Sequence, residues 1–166
     1  MSANKSHAKN SGSPMVARSA ARLAAVQAVY QMTANAETAA SVMNSFKANP
    51  PHESMEGEKL VKPDPALMSA IAKGVEARRA DLEGLLAGAQ KSRTRTGDDT
   101  VYAPYEPLLQ SVLLCAAYEL LAHHDIDAPI IISDYLNVTH AFFDQGESKL
   151  VNGVLDAIRK NVRDGG

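Results

Sequence analysis

The sequence predicts an all-helical fold of six or seven helices with no β-sheet. Three observations predict it. The chain has no Trp and only three Phe, so its core must be built from Leu, Ile, Val, Met and Ala, a palette that favours helices. Apolar residues recur at helical spacing along most of its length. The one strand-like run, Ile130-Ile131-Ile132, has no second strand elsewhere in the sequence to pair with.

Each element follows from its residues. Residues 1–13 are rich in Ser, Asn, Lys and Gly and read as a disordered basic arm carrying Lys5 and Lys9. The remainder, 14–166, reads as a single helical domain. Ser13-Pro14 opens the first helix, with Ser as N-cap and Pro at the first helical position. In "MVARSAARLAAVQAVYQMTA" Leu23, Val26 and Tyr30 fall on one stripe with Val29 beside it. Arg18 and Arg22 share a different face. A second helix covers Glu37 to Ala48 and buries Val42, Met43 and Phe46. "NPPHESMEGEKLVKP" is a loop, broken by Pro50, Pro51 and Pro63.

Asp64-Pro65 starts a long helix that runs to about Gln90, with Leu67, Ile71, Val75, Leu82, Leu85 and Leu86 at helical spacing. Gly74, Gly84 and Gly88 mark places for close packing or bends. "KSRTRTGDDT" is an exposed loop. "YEPLLQSVLLCAAYELLAHH" is the most apolar helix and takes the centre; "DIDAP" ends it, and "IIISDYLNVTHAFF" forms the next. In the last helix Leu150, Val151, Val154, Leu155, Ile158 and Val162 form one stripe, with Ser148 a candidate N-cap. Asn152-Gly153, two poor helix formers side by side, lie inside it and call for a tertiary reason.

Composition excludes several classes. The single cysteine, Cys115, rules out an internal disulfide, and its apolar surroundings point to a buried, inert thiol. No apolar run approaches the roughly 20 residues of a membrane span. The polar N-terminus lacks the apolar segment of a signal peptide, so a cytoplasmic protein without membrane contact is expected. Net charge is only −2, but it is unevenly spread. Met1 to Ala36 holds four basic residues and no acid, whereas Thr96 to Ser148 holds nine acids and no Lys or Arg. Basic residues return at Lys149, Arg159, Lys160 and Arg163. This pattern suits an anionic partner at the ends and a basic protein in the middle; ordinary solvated surface explains the pattern equally well and any one of the charges better.

No P-loop, GxGxxG, HExxH or CxxC is present. His123-His124 with Asp125 and Asp127 is the nearest thing to a metal cluster. Adjacent histidines on a helix point about 100° apart, and here they close a helix, where the dipole favours them. His140 lies among apolar neighbours and reads as a satisfied structural histidine. Glu119 is an acid among apolar residues, so a structural hydrogen-bonded role is expected. No catalytic constellation, metal site or cofactor is expected.

Two stretches together, "ARLAAVQAVYQ" and "LVNGVLDAI", resemble the bacterial transcription antitermination factor NusB family. "LLCAAYELL" followed by "DIDAPIIISDYLNVTHAFF" is similar to the middle of that family, and the likeness runs from Val16 to Val162. It implies an all-helical fold of about seven helices in two packed sub-bundles. It implies a non-catalytic RNA-binding protein that pairs with ribosomal protein NusE. The pair would bind the single-stranded boxA element of ribosomal RNA transcripts and act on the RNA polymerase elongation complex indirectly. Some members self-associate, so a homodimer is a further expectation.

The resemblance places RNA-binding residues at Arg18, Arg22, Tyr30, Lys149 and Leu150. It places a protein-partner interface at Tyr105, Glu106, Leu109 and Gln110. It implies that Gly153 admits a neighbouring helix and that Asn152 bonds to backbone rather than facing water. Ser19 and Ala20 stand where basic residues are common in the family, and Leu150 cannot stack as an aromatic would, so NusE would supply much of the RNA affinity. Leu114 stands where the family often has Arg, which gives Glu119 a different ionic partner or none. The alternative is a NusB-like accessory module in ribosomal RNA maturation without NusE-dependent antitermination. A module fused to a methyltransferase is disfavoured because no such domain follows the last helix.

Overall fold

The structure is a computed structural model that describes residues 14–49, 54–56, 59–93 and 105–164. The expected disordered arm at 1–13 and most of the "KSRTRTGDDT" loop lie outside them. The chain divides into two compact units, Met1–Lys73 and Gly74–Gly166.

The first unit opens with α1 (Pro14–Asn35), which packs on α2 (Ala39–Ala48). Ala residues at 20, 21, 24, 25 and 28 are buried with Val26, Val29 and Met32, so α1 is nearly surrounded through its middle. The corner between the helices is closed locally. Ala36 takes the left-handed conformation at φ 53°, and the Glu37 N–H bonds to the Met32 carbonyl at 3.0 Å, the six-to-one bond of a Schellman motif. Thr38 then caps α2, its hydroxyl accepting from the Ser41 N–H at 3.1 Å. Val42 and Met43 are buried as expected, and Phe46 is half-buried.

The all-helical class holds. The segment expected as a plain loop contains a small antiparallel ribbon, β1 (Ser54–Glu56) paired with β2 (Lys59–Val61) in the register Ser54↔Val61. The expectation of no β-sheet is corrected at this one place: an isolated ribbon this short makes no layer of the fold. After it, the Asp64 N–H bonds to the Ala17 carbonyl at 3.0 Å, tying the segment to α1. The Asp64 carboxylate then caps α3 (Pro65–Arg93) by accepting from the N–H groups of Ala66 and Leu67.

The second unit takes α3 onward from Gly74. The helix kinks at Arg78, where φ is −118° and ψ 21°. Beyond it α4 (Pro107–Ala122), α5 (Ala128–Phe142) and α6 (Gln145–Arg159) pack on one another, and a π-helical turn, Lys160–Asp164, folds against α4. Every residue of α4 from Leu109 to Ala117 is buried, which makes α4 central to this unit. A Cβ added at Gly74 would sit inside the ring of Tyr118, so glycine is required for that contact; Gly84 and Gly88 face open space.

Asp144, not Ser148, stands before the first residue of α6; Ser148 is buried, with its hydroxyl 3.2 Å from His140 Nδ1. Val151, Val154, Leu155 and Ile158 are buried, and Leu150 and Val162 are half-buried. Asn152 is exposed, which corrects the expectation that it avoids water: it lies off the apolar stripe of α6.

Candidate nucleic-acid interface

The two units use their charges differently. In the first, Arg18, Lys47, Lys62 and Lys73 are exposed, and none has an ion-pair partner among the described residues. Glu37 and Asp64, the acids whose side chains are described there, are engaged at helix ends. The Glu37 carboxylate accepts from Gln31, Asn35 and Ser41 at 3.2, 3.1 and 2.9 Å, and these bonds hold its pKa below the usual glutamate value. Asp64 caps α3. The described surface of this unit is therefore cationic, as an anion-binding surface requires.

Arg18 and Tyr30, two residues expected to meet RNA, project from α1 into solvent, Tyr30 at 41% exposure. Twelve positions separate them, roughly 18 Å along the axis and about 120° around it. They therefore cannot both meet a single point of one ligand. Arg22, also expected to meet RNA, is 2% exposed and packed rather than presented to solvent in this structure. Its face is also that of Val26 and Val29, four and seven residues on, and both are fully buried. That spacing is present in the sequence.

In the second unit Lys149 is exposed and Leu150 half-buried, both in the early turns of α6. The other basic residues of this end are engaged within the chain. Arg159 and Lys160 both bond to Asp156, at 2.9 and 3.3 Å, and hold its carboxyl below the usual aspartate value. The Arg163 guanidinium donates to the carbonyls of Leu120, Ile126, His123 and Glu119, at 2.8, 2.8, 2.9 and 3.3 Å. It thus closes the C-terminus of α4, where the last carbonyls and the helix dipole favour a cation. Of the expected cationic end, Lys149 alone among the residues named keeps its charge uncommitted.

The expected protein-partner patch divides in the same way. Glu106 is exposed, and its carboxylate caps α4 through the N–H groups of Leu108 and Leu109 at 3.0 and 3.2 Å. Tyr105 is half-buried. Leu109 and Gln110 are 5% and 7% exposed, so the structure does not present them on the surface with Glu106. Gln110 instead accepts the Tyr105 N–H at 3.3 Å and helps to fasten the strand of chain entering α4.

The groups with catalytic potential are internal. Glu119, fully buried, accepts from Tyr135 Oη at 2.6 Å and lies 3.0 Å from His123 Nδ1. His123 meets the ring of Tyr118 edge-on, with centroids 5.3 Å apart. Burial and the nearby Glu119 push the Cys115 thiol well above its usual pKa, which keeps it protonated and unreactive. Among the described residues no group of His, Cys, Asp and Glu could hold a metal ion. Nor is any described helix long and apolar enough to cross a membrane.

The sequence profile described as the NusB family matches residues 19–160. This chain belongs to the NusB family. It is 36% identical to the transcription antitermination protein NusB of Novosphingobium aromaticivorans over 147 residues, covering 89% of this chain and 95% of that protein. It is 34% identical to NusB of Rhizobium rhizogenes over 146 residues, 88% of each chain. The solved structure of T. maritima NusB superposes with a TM-score of 0.64 over 89% of this chain and 94% of that one. At 19% identity that likeness shows the NusB fold. The family is one of transcription antitermination factors, a non-enzymatic role.

Proposed function

We propose that this NusB-family chain is a non-catalytic cytoplasmic antitermination factor. It pairs with ribosomal protein NusE and binds single-stranded boxA RNA in ribosomal RNA transcripts, reaching the RNA polymerase elongation complex through them. The observation that carries the reading is the cationic first unit, with Arg18 unpaired and Tyr30 exposed on α1. Guanidinium groups neutralise phosphates, and an exposed tyrosine ring is a stacking platform for an unpaired base. Lys149, beside Leu150, contributes a second cationic position. Arg22 supports α1 from within.

The acids of the second unit suit a basic ribosomal protein, with Tyr105 and Glu106 the accessible part of the expected patch. Charge complementarity of this kind speeds association more than it tightens the complex. A homodimer would compete for the same surfaces.

The test is binding of a labelled boxA-like RNA, with and without NusE, across a salt series. Arg18→Ala should weaken binding and lower the slope of log affinity against log salt by about 0.7, one single-strand phosphate contact. An unchanged slope removes Arg18 from the site. Cooperation between NusE and RNA in the wild type is expected; its absence in folded protein would favour an accessory module of ribosomal RNA maturation.

A further inference from the structure

The first unit contains a groove of about 380 Å³ that the α1 surface does not share. One wall is a face of α2: Ala40, Met43, Asn44 and Lys47 recur at intervals of three and four. The other is the start of α3, with Pro65, Met68, Ser69 and Lys73 on one face. Phe46 completes the lining. The volume falls within the ~300–1,000 Å³ of small-ligand sites.

The lining has three chemical parts. Met43, Met68, Pro65 and the half-buried Phe46 give an apolar floor. Asn44 and Ser69, one from each helix, give an amide and a hydroxyl that both donate and accept. Lys47 and Lys73, again one from each helix, are exposed, and no acid lies among the lining residues.

We infer that this groove is a nucleotide subsite. It takes one unstacked base of a single-stranded RNA, with the flanking phosphates on Lys47 and Lys73. The inference rests on the RNA-binding reading and adds a second contact region to it. A base is flat and apolar on its faces, polar at its edge, and joined on both sides to phosphate. The floor, the Asn44–Ser69 pair and the two lysines match those three properties in turn. An apolar peptide anchor with a nearby acid would satisfy the lysines. It would also bury the Asn44 amide and Ser69 hydroxyl against carbon, which costs affinity.

The test uses the full chain and a labelled ten-nucleotide single-stranded RNA in a salt series. Lys47→Ala/Lys73→Ala should lower the salt slope by about 1.4, since each single-strand phosphate contributes about 0.7. Phe46→Leu keeps the apolar volume but removes the ring. It should weaken binding about tenfold with the slope unchanged, in keeping with the energy of one base stacked on an aromatic.

If the wild type binds RNA and both variants match it, the groove inference is overturned and the RNA reading survives. A slope change without a Phe46 effect leaves a basic patch and overturns the base subsite. Intact RNA binding with lost binding of a partner protein gives the groove to a peptide. A folded wild type that binds no RNA even at low salt overturns both readings together.

Discussion

Two corners of the molecule solve the same problem in opposite ways. At the α1–α2 corner, Glu37 satisfies its carboxylate with Gln31, Asn35 and Ser41, none more than six residues away, and it does so near solvent. At the far end of α4, Arg163 reaches back between 37 and 44 residues to four backbone carbonyls. Below that corner Glu119 is shut in with His123 and Tyr135. The first corner is built from neighbours in sequence and tunes a turn. The second joins distant segments, so its loss should be felt by the whole unit. A charge used inward for structure is also withdrawn from recognition, which is why the basic C-terminal stretch offers little to an anion.

The largest test of the contrast is Arg163→Met. It keeps the apolar stem and removes a donor from each of four carbonyls at once, leaving Glu119 and His123 only their backbone N–H partners. Hydrogen bonds to a charged group contribute about 1.5–3 kcal/mol and do not add fully, so a loss of about 3 kcal/mol is expected. Urea unfolding measures it. A change within about 0.5 kcal/mol, ordinary for a surface substitution, would mean that the corner is held by packing alone.

Gly74→Ala probes the same corner from its packed side. The added methyl would enter the Tyr118 ring, which makes a T-shaped contact with His123, the neighbour of Glu119. Overpacking of this kind costs about 1–3 kcal/mol. Gly84→Ala, in the same helix but facing open space, should instead stabilise by about 0.5–1 kcal/mol. Equal effects from the two would mean that helix propensity, not the ring, sets the outcome at position 74.

These corners also explain what the sequence discloses. Periodicity and caps are local, so the helices, the Asp64-Pro65 start and the stripe of Val151, Val154, Leu155 and Ile158 are legible. Three glycines in α3 read alike, because which of them meets an aromatic ring depends on Tyr118, 44 residues past Gly74. Arg163 reads as surface charge for the same reason. Arg22 is legible in principle from its spacing to Val26 and Val29, but a basic residue four from Arg18 reads more readily as part of an outward face. The ribbon at 54–61 is hidden by the prolines before it and by strands only three residues long.

At the local corner the expected effects are smaller and one has the opposite sign. Ala36 sits at φ 53°, where a Cβ meets the following carbonyl oxygen at a cost of roughly 1–2 kcal/mol. Ala36→Gly removes that strain but adds freedom to the unfolded chain, about 0.5–1 kcal/mol. A net gain of about 0.5–1 kcal/mol is expected from thermal or urea unfolding. A loss would show that the Schellman turn is already relaxed by its other contacts.

The smallest effect belongs to Glu37, and its pH dependence fixes its sign. Its side-chain bonds lower the folded pKa below the unfolded value. The stability it contributes is therefore present above the unfolded pKa and is lost as pH falls through the lowered folded one. Glu37→Gln should melt slightly below the wild type at neutral pH, and the gap should close in acid once the carboxyl is protonated in both states. A gap that persists unchanged at low pH would mean that the amide misfits the turn sterically, and that the corner is held by shape rather than by the charge that separates it from Arg163.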